Sequence, residues 1–259
     1  MCTVCGCPTE NEKKPESETS AGVKPLVYDI TAPGQEKGRL IQIERDILSK
    51  NDKIARSNSE AFAEAGSVAI NLMSSPGSGK TTLLVETLKA LRGRFPTLVI
   101  EGDQHTSNDA DRIRETGAPA IQINTGKVCH LDAQMIADAL DEMPVETGSV
   151  VFIENVGNLL CPASFDLGES ARVVLVSVTE GEDKPLKYPE MFATADLVLV
   201  TKSDLLPHLD FDVEALSENI GKICPGVEII RTSTKSVDGL SDWLSWISAF
   251  GIRQSQAAE

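Results

Sequence analysis

The sequence predicts an α/β fold: a mainly parallel sheet with helices on both faces, preceded by a flexible Cys-rich N-terminal tail. Two observations carry the fold. Short runs rich in Val, Ile and Leu alternate with helical patterns from residue 67 onward, which is how strands buried on both faces read. The first of these runs leads into a Gly-rich turn that opens a helix, and α/β sheets bind ligands at the carboxyl ends of their strands. The tail is read from composition. Three Cys fall within residues 1–7, and residues 8–40 are mostly Pro, Glu, Lys, Ser, Thr and Gly, with little to bury. The expected organisation is a Cys motif with a flexible linker over residues 1–40 and one domain over residues 41–259.

Ile41, Ile43, Ile47, Leu48 and Ile54 form a helical stripe that runs to about Glu64. Residues 67–73 are a strand, and residues 81–93 a helix with its stop signal at Gly93. Strands follow at 97–103 and 119–124, then a helix at 131–143. Further strands are expected at 149–155, 171–179, 195–202 and 227–233, with a last helix over 238–249. No internal repeat is present.

Composition excludes several functions. The 259 residues carry a net charge of −15, nearly all of it in residues 41–259, which opposes binding to a phosphate backbone. Seven Phe, two Trp and two Tyr leave little stacking surface for single strands. These facts argue against a nucleic-acid partner. No run approaches 18 consecutive apolar residues, so no membrane span is expected. The first 30 residues lack the apolar core of a secretory signal. The expected location is cytoplasmic, where thiols stay reduced.

The turn reads Ser74-Ser75-Pro76-Gly77-Ser78-Gly79-Lys80-Thr81, followed by Thr82 and a helix. This is the P-loop pattern between a strand and a helix, so the fold is that of a P-loop NTPase. Gly77, Ser78 and Gly79 let backbone N–H groups curl around phosphate oxygens. Lys80 brings a point charge to the β- and γ-phosphates, Thr81 a hydroxyl for Mg²⁺, and the helix N-terminus a partial positive charge. The first Gly of the pattern is Ser74, which is tolerated only if φ stays negative there.

Thr201-Lys202-Ser203-Asp204 ends a strand. It matches a guanine-reading Asn-Lys-x-Asp pattern, with Thr in place of the Asn that usually tethers the loop. Asp204 can accept from two guanine donors that adenine lacks, and the Lys202 stem can cover the base. The alternative is a strand end with solvated charges. Glu154, followed by Gly157, suits a Mg²⁺-linked γ-phosphate sensor. Asp103 opens a polar segment and is a second candidate for Mg²⁺. A helix cap or a solvated loop is the alternative for each carboxylate. Asn158 stands where a water-orienting Gln would be, so slow intrinsic hydrolysis is expected.

Cys129 and His130 are adjacent, and Cys161 lies four residues beyond Gly157. If their loops share a sheet edge, the three converge as ligands for Zn²⁺ or Ni²⁺; the alternative is inert buried thiols. Cys161 is expected to move with the nucleotide state, and Cys129 and His130 to move less. Cys224 reads as core, and His105 and His208 as surface or switch residues. Cys2, Cys5 and Cys7, with a terminal amine, offer four ligands for Zn²⁺ or square-planar Ni²⁺. Redox chemistry of the Cys-x-x-Cys pair, or a tail with no role, is the alternative.

Together these residues resemble the HypB family of hydrogenase nickel-incorporation GTPases. The resemblance runs over essentially the whole chain: the Cys-rich head, SSPGSGKTT, EGDQ at 101–104, NTGKVCHLDAQM at 124–135, ENVGNLLCPA at 154–163 and TKSDLLP at 201–207. It implies a homodimeric GTPase that uses GTP and Mg²⁺ and delivers Ni²⁺ to the large-subunit precursor of [NiFe]-hydrogenase. It implies a zinc-containing, nickel-binding partner of the HypA type, and two metal sites, one in the head and one at Cys129, His130 and Cys161. The linker has no His-rich stretch, which argues against bulk nickel storage. A metal store or sensor whose GTP site controls dimerisation is the alternative from another class. A small-molecule kinase is disfavoured by the TKSD segment and the paired thiols.

Overall fold

The computed structural model describes residues 34–104, 108–236 and 239–257. The chain divides into two units between Ser49 and Lys50. In the first, the described residues form the opening of helix α1 (Gly34–Glu64), with Gln42 donating to Asp46 at 2.9 Å and Ile43 and Ile47 exposed. The helix begins seven residues ahead of the apolar stripe, inside the stretch read as linker. Once a turn is nucleated, each further residue adds one hydrogen bond at low cost, so polar residues extend it.

The second unit holds a seven-stranded sheet in the order β3-β2-β4-β1-β5-β6-β7, every pair parallel. The strands are β1 (Val68–Ser74), β2 (Thr97–Asp103), β3 (Ala120–Asn124), β4 (Val150–Glu154), β5 (Ala171–Ser177), β6 (Leu197–Thr201) and β7 (Glu228–Arg231). Parallel pairing requires crossovers, which the helices supply. These are α2 (Lys80–Leu91), α3 (Asn108–Arg114), α4 (Ala133–Glu142), α5 (Lys184–Lys187), α6 (Pro189–Ala193), α7 (Val213–Ile223) and α8 (Leu240–Ala257). β1 is central and buried at all seven positions, as a strand covered on both faces must be. On one face, Leu83, Leu84 and Leu88 of α2 and Trp243, Trp246 and Ile247 of α8 pack on β1 and β5. The Trp243 indole donates to Thr87 Oγ1 at 2.8 Å, so its one polar atom is satisfied in the core. On the other face, Met191 and Phe192 of α6 and Leu216 and Ile220 of α7 pack on Val174, Val198 and Val200.

The chain leaves β1 toward β2 on one side and later crosses to β5 on the other, so β1 stands at the topological switch point. That is where doubly wound sheets open a crevice for ligands. Two loops at this end are braced from α1. Asn51 Oδ1 accepts from Ala133 N at 2.9 Å, and its Nδ2 donates to Asp166 O at 2.7 Å. Asn58 Nδ2 donates to Ala133 O at 2.9 Å and to Leu167 O at 3.0 Å. Gly168 completes the fit: its φ is +87°, and an added Cβ would stand 2.8 Å from Asn58 Cβ and against the Ala55 carbonyl. Gly168→Ala should therefore cost about 3 kcal/mol through combined backbone strain and overpacking, read as a fall in the urea midpoint.

Candidate nucleotide and metal site

The P-loop leaves the carboxyl end of β1. Gly77 has φ 75° and Gly79 φ 94°, so both turns need a residue without Cβ. Lys202 is the only non-glycine with positive φ among the described residues. Ser74 therefore avoids the left-handed region, which explains why the missing first Gly is tolerated. Lys80 and Thr81 open α2 and point toward β4. Thr81 Oγ1 donates to Glu154 Oε1 at 2.6 Å, and Lys80 Nζ lies 3.8 Å from the same oxygen.

Glu154 is buried, and its second oxygen has no partner. Burial pushes its carboxyl well above the ordinary range, against the pull of Lys80 and the Thr81 hydrogen bond. Its register partner on β2 is Glu101, which is 2% exposed with Oε2 also unpartnered. Burial, together with the charges of Glu154, Asp103 and Asp109, raises Glu101 to about 8. Orphaned carboxylate oxygens beside a hydroxyl are hard donors, and they fit Mg²⁺.

Two clefts share Ser78, Gly79, Thr82, Arg112 and Lys202. Their volumes, about 580 and 460 Å³, suit a nucleotide. The first also holds Gly77, Lys80, Thr81, Asp103 and Asp109, and the second Asp204 and the segment Thr232–Lys235. The tether lost with the missing Asn is restored differently. Thr201 Oγ1 donates to Ser78 O at 2.6 Å, and Lys202 Nζ donates to Gly77 O at 2.7 Å. The TKSD segment is thus fastened directly to the P-loop. Ser233 Oγ donates to Asp204 Oδ1 at 2.5 Å, which fixes that carboxylate at the cleft wall.

The thiols converge as their spacing suggests. One ligand atom from each of Cys129, His130 and Cys161 lies within 4.8 Å of the others, and the two sulfurs are 2.9 Å apart. His130 is buried, stacked on Phe165 with ring centroids 4.0 Å apart, and its Nδ1 has no partner. Burial lowers its pKa, with Asp132 acting against the shift, so the ring is held neutral, as a metal ligand must be. Two thiols and a neutral imidazole suit Ni²⁺ or Zn²⁺. Cys224 is half-buried near the Ala195 carbonyl, and His208 is exposed. Cys2, Cys5, Cys7 and His105 lie outside the described residues.

An all-parallel sheet with its P-loop at the switch point, beside a thiol–imidazole cluster, defines a P-loop nucleotide-binding protein. Residues 68–231 match the CobW/HypB/UreG nucleotide-binding domain. The chain belongs to this family, on its HypB branch. It is 48% identical to the hydrogenase maturation factor HypB of Azotobacter chroococcum, over 95% of this chain and 92% of that protein. It is 57% identical to that of Escherichia coli, over 83% of this chain and 74% of that protein. The crystal structure of HypB from Helicobacter pylori in complex with nickel superimposes with a TM-score of 0.75 at 42% identity, covering 80% of this chain and 97% of that one.

Sequence reading overlooked four contributors. Glu101 lies inside an apolar strand at the head of the EGDQ segment, and its role emerges only through its register with Glu154. The Thr232–Lys235 segment follows the last strand, where position alone marks it. Arg112 and Asp109 sit on α3, within a stretch read as a polar switch.

Glu101 has a measurable consequence. Its folded pKa lies above its unfolded value, so the native state holds more protons between about pH 4.5 and about 8. Its contribution to stability is present at low pH and is lost as pH rises through that window. Glu101→Gln should flatten the decline in Tm over this range and raise Tm at pH 8 in nucleotide-free, metal-free protein.

Proposed function

We propose that this protein is a GTP-hydrolysing nickel metallochaperone that delivers Ni²⁺ to the large-subunit precursor of [NiFe]-hydrogenase. One observation carries the reading: Cys129, His130 and Cys161 converge within 4.8 Å, with Cys161 seven residues beyond the carboxylate that meets the P-loop. The related HypB of Helicobacter pylori has been crystallised with nickel, which supports Ni²⁺ as the cargo. Residues 1–40 act as a metal-binding head and linker, with Cys2, Cys5 and Cys7 as a second site, and residues 41–259 as the GTPase domain. The working form is a cytoplasmic homodimer that meets a HypA-type nickel- and zinc-binding partner, with neither nucleic acid nor membrane involved. No described helix is long and apolar enough to cross a membrane.

Gly77, Ser78, Gly79, Lys80, Thr81 and Thr82 hold the phosphates. The N-terminus of α2 and Lys80 stabilise negative charge that builds in phosphoryl transfer. Thr81, Glu154, Asp103 and Glu101 are the oxygens that would hold Mg²⁺, whose charge offsets that of the phosphates. Lys202 and Asp204 read the guanine. Asn158 donates to Cys129 O at 3.3 Å and accepts from Leu160 N at 2.9 Å. That side chain is committed to the metal loop and not to an attacking water, in keeping with slow intrinsic hydrolysis.

Asp204→Asn removes an acceptor for two guanine donors, so GTP affinity should fall about 100-fold or more. A xanthine nucleotide should then bind better than GTP in competition; equal loss of both would take Asp204 out of the base site. Replacing Cys2, Cys5 and Cys7 together should eliminate a tight Ni²⁺ site and its sulfur-to-nickel absorption band, with GTP turnover retained. The reading itself is tested by hydrogenase maturation in extracts. Lys80→Ala, folded and still holding Ni²⁺, should fail to support it. Full maturation with Lys80→Ala or with unhydrolysed GTP analogue would favour a store or sensor.

A further inference from the structure

The nucleotide side and the metal side meet at one dipeptide. Glu154 turns its carboxylate to Thr81, under the P-loop. Asn155 comes next in an extended segment, where successive side chains point to opposite faces. Its Oδ1 accepts from Leu131 N at 3.1 Å, directly after His130, and from Val156 N at 3.0 Å.

From Asn155 a largely buried polar chain continues to the turn that carries Cys161. Asn155 Nδ2 donates to Asn71 Oδ1 at 3.4 Å, and Asn71 Nδ2 to Glu169 Oε1 at 3.1 Å. Arg172 Nε donates to that same carboxylate oxygen at 2.7 Å. The guanidinium then reaches Ala163 O at 3.2 Å and Phe165 O at 3.4 Å. Those carbonyls belong to Ala163, in the 3-10 turn that starts at Cys161, and to Phe165, the residue whose ring stacks on His130. A second tether runs from Asn158 to Cys129 O.

All three cluster residues are therefore bound to the segment that follows Glu154. These bonds hold the backbone at Cys129 and directly after His130 as well as the turn that starts at Cys161. Packing alone does not call for such a chain, because apolar residues of similar volume often stabilise a core as well or better. A satisfied polar chain has directional bonds, so it transmits the position of one end to the other.

We propose that Asn155, Asn71, Glu169 and Arg172, together with Asn158, are positioning residues that set the Cys129–His130–Cys161 geometry according to the nucleotide state. The proposal rests on the reading of the protein as a nickel-delivering GTPase. It adds the residues through which GTP governs nickel affinity. Asn71, Glu169 and Arg172 line neither nucleotide cleft and are not among the clustered metal-ligand candidates. Displacement of Glu154 by the γ-phosphate draws Asn155 with it. The chain then shifts the Leu131 amide and the Cys161 turn, and the cluster opens or closes.

The test uses the full chain with Cys2, Cys5 and Cys7 replaced by Ser. Ni²⁺ is titrated in GDP and in a non-hydrolysable GTP analogue, and sulfur-to-nickel absorption is followed. The starting protein should show affinities that differ roughly fivefold or more between the two states. Asn71→Leu cuts the chain at its middle, and Asn158→Ala cuts the outer tether. Both should bring the ratio of affinities toward one. A merely structural role would lower Tm and leave the ratio unchanged, and that result in the folded variants overturns the proposal. If Asn71→Leu fails to fold, the ratio in Asn158→Ala decides alone. Equal affinities in the starting protein would sink the nickel-release reading itself, and the positioning role with it.

Discussion

Two carboxylates, Glu101 and Glu154, stand side by side on β2 and β4, both buried and each with an oxygen that no protein group satisfies. Two like charges at low dielectric cannot both ionise unless positive charge arrives. The surrounding structure is arranged to receive it. The all-parallel sheet brings both side chains to one end of the molecule, α2 directs its N-terminus there, and Lys80 reaches Glu154. The acidic pair thereby makes the site unfinished as protein alone. A site of this kind favours a cation carried in with a polyphosphate over an empty cleft.

The metal cluster obeys the opposite logic. Its thiols and imidazole are soft or borderline donors. They are set apart from the oxygens of the acidic pair by the alternation of side chains at Glu154 and Asn155. One strand end therefore separates a hard-cation environment from a soft one by a single residue. The two donor sets differ in the class of ion they prefer, and the segment from Glu154 to Cys161 contributes to both.

Much of this was legible in the sequence, for identifiable reasons. Each of the seven strands falls on a run rich in Val, Ile or Leu; the signal is clearest in β4, β5 and β6, where burial on both faces leaves few polar positions, and weakest in the edge strands β3 and β7, which carry Gln122, Asn124, Glu228 and Arg231. The P-loop and the TKSD segment are contiguous motifs, so spacing sufficed. Helix α7 carries readable signals, although the expected elements leave it out: an Asp212 cap that accepts from Glu214 N and Ala215 N, and Leu216 and Ile220 four residues apart. Glu101, Asn71 and Asn155 were illegible for a different cause. Their partners lie 53, 98 and 24 residues away, at Glu154, Glu169 and Leu131, and only strand order brings such residues together. The substitution of Thr201 for Asn read as a weakness because its compensation, a bond to Ser78 O, spans 123 residues.

The bracing of two loops by Asn51 and Asn58 fixes where this domain begins. The family match starts at residue 68, the first residue of β1. A chain begun there would keep every strand and every motif from the P-loop onward. It would also strand the amide of Ala133 and the carbonyls of Ala133, Asp166 and Leu167, all of which bond to α1. Each buried group left unmatched costs about 1–3 kcal/mol, and four of them rival the roughly 5–15 kcal/mol that holds a typical domain together. The lost partners lie beside both thiol-bearing loops, so a trimmed protein would be weakest at its metal end. The working border lies upstream of Asn51, near the Ser49–Lys50 division of the chain, and it is drawn by hydrogen-bond satisfaction instead of by the sheet.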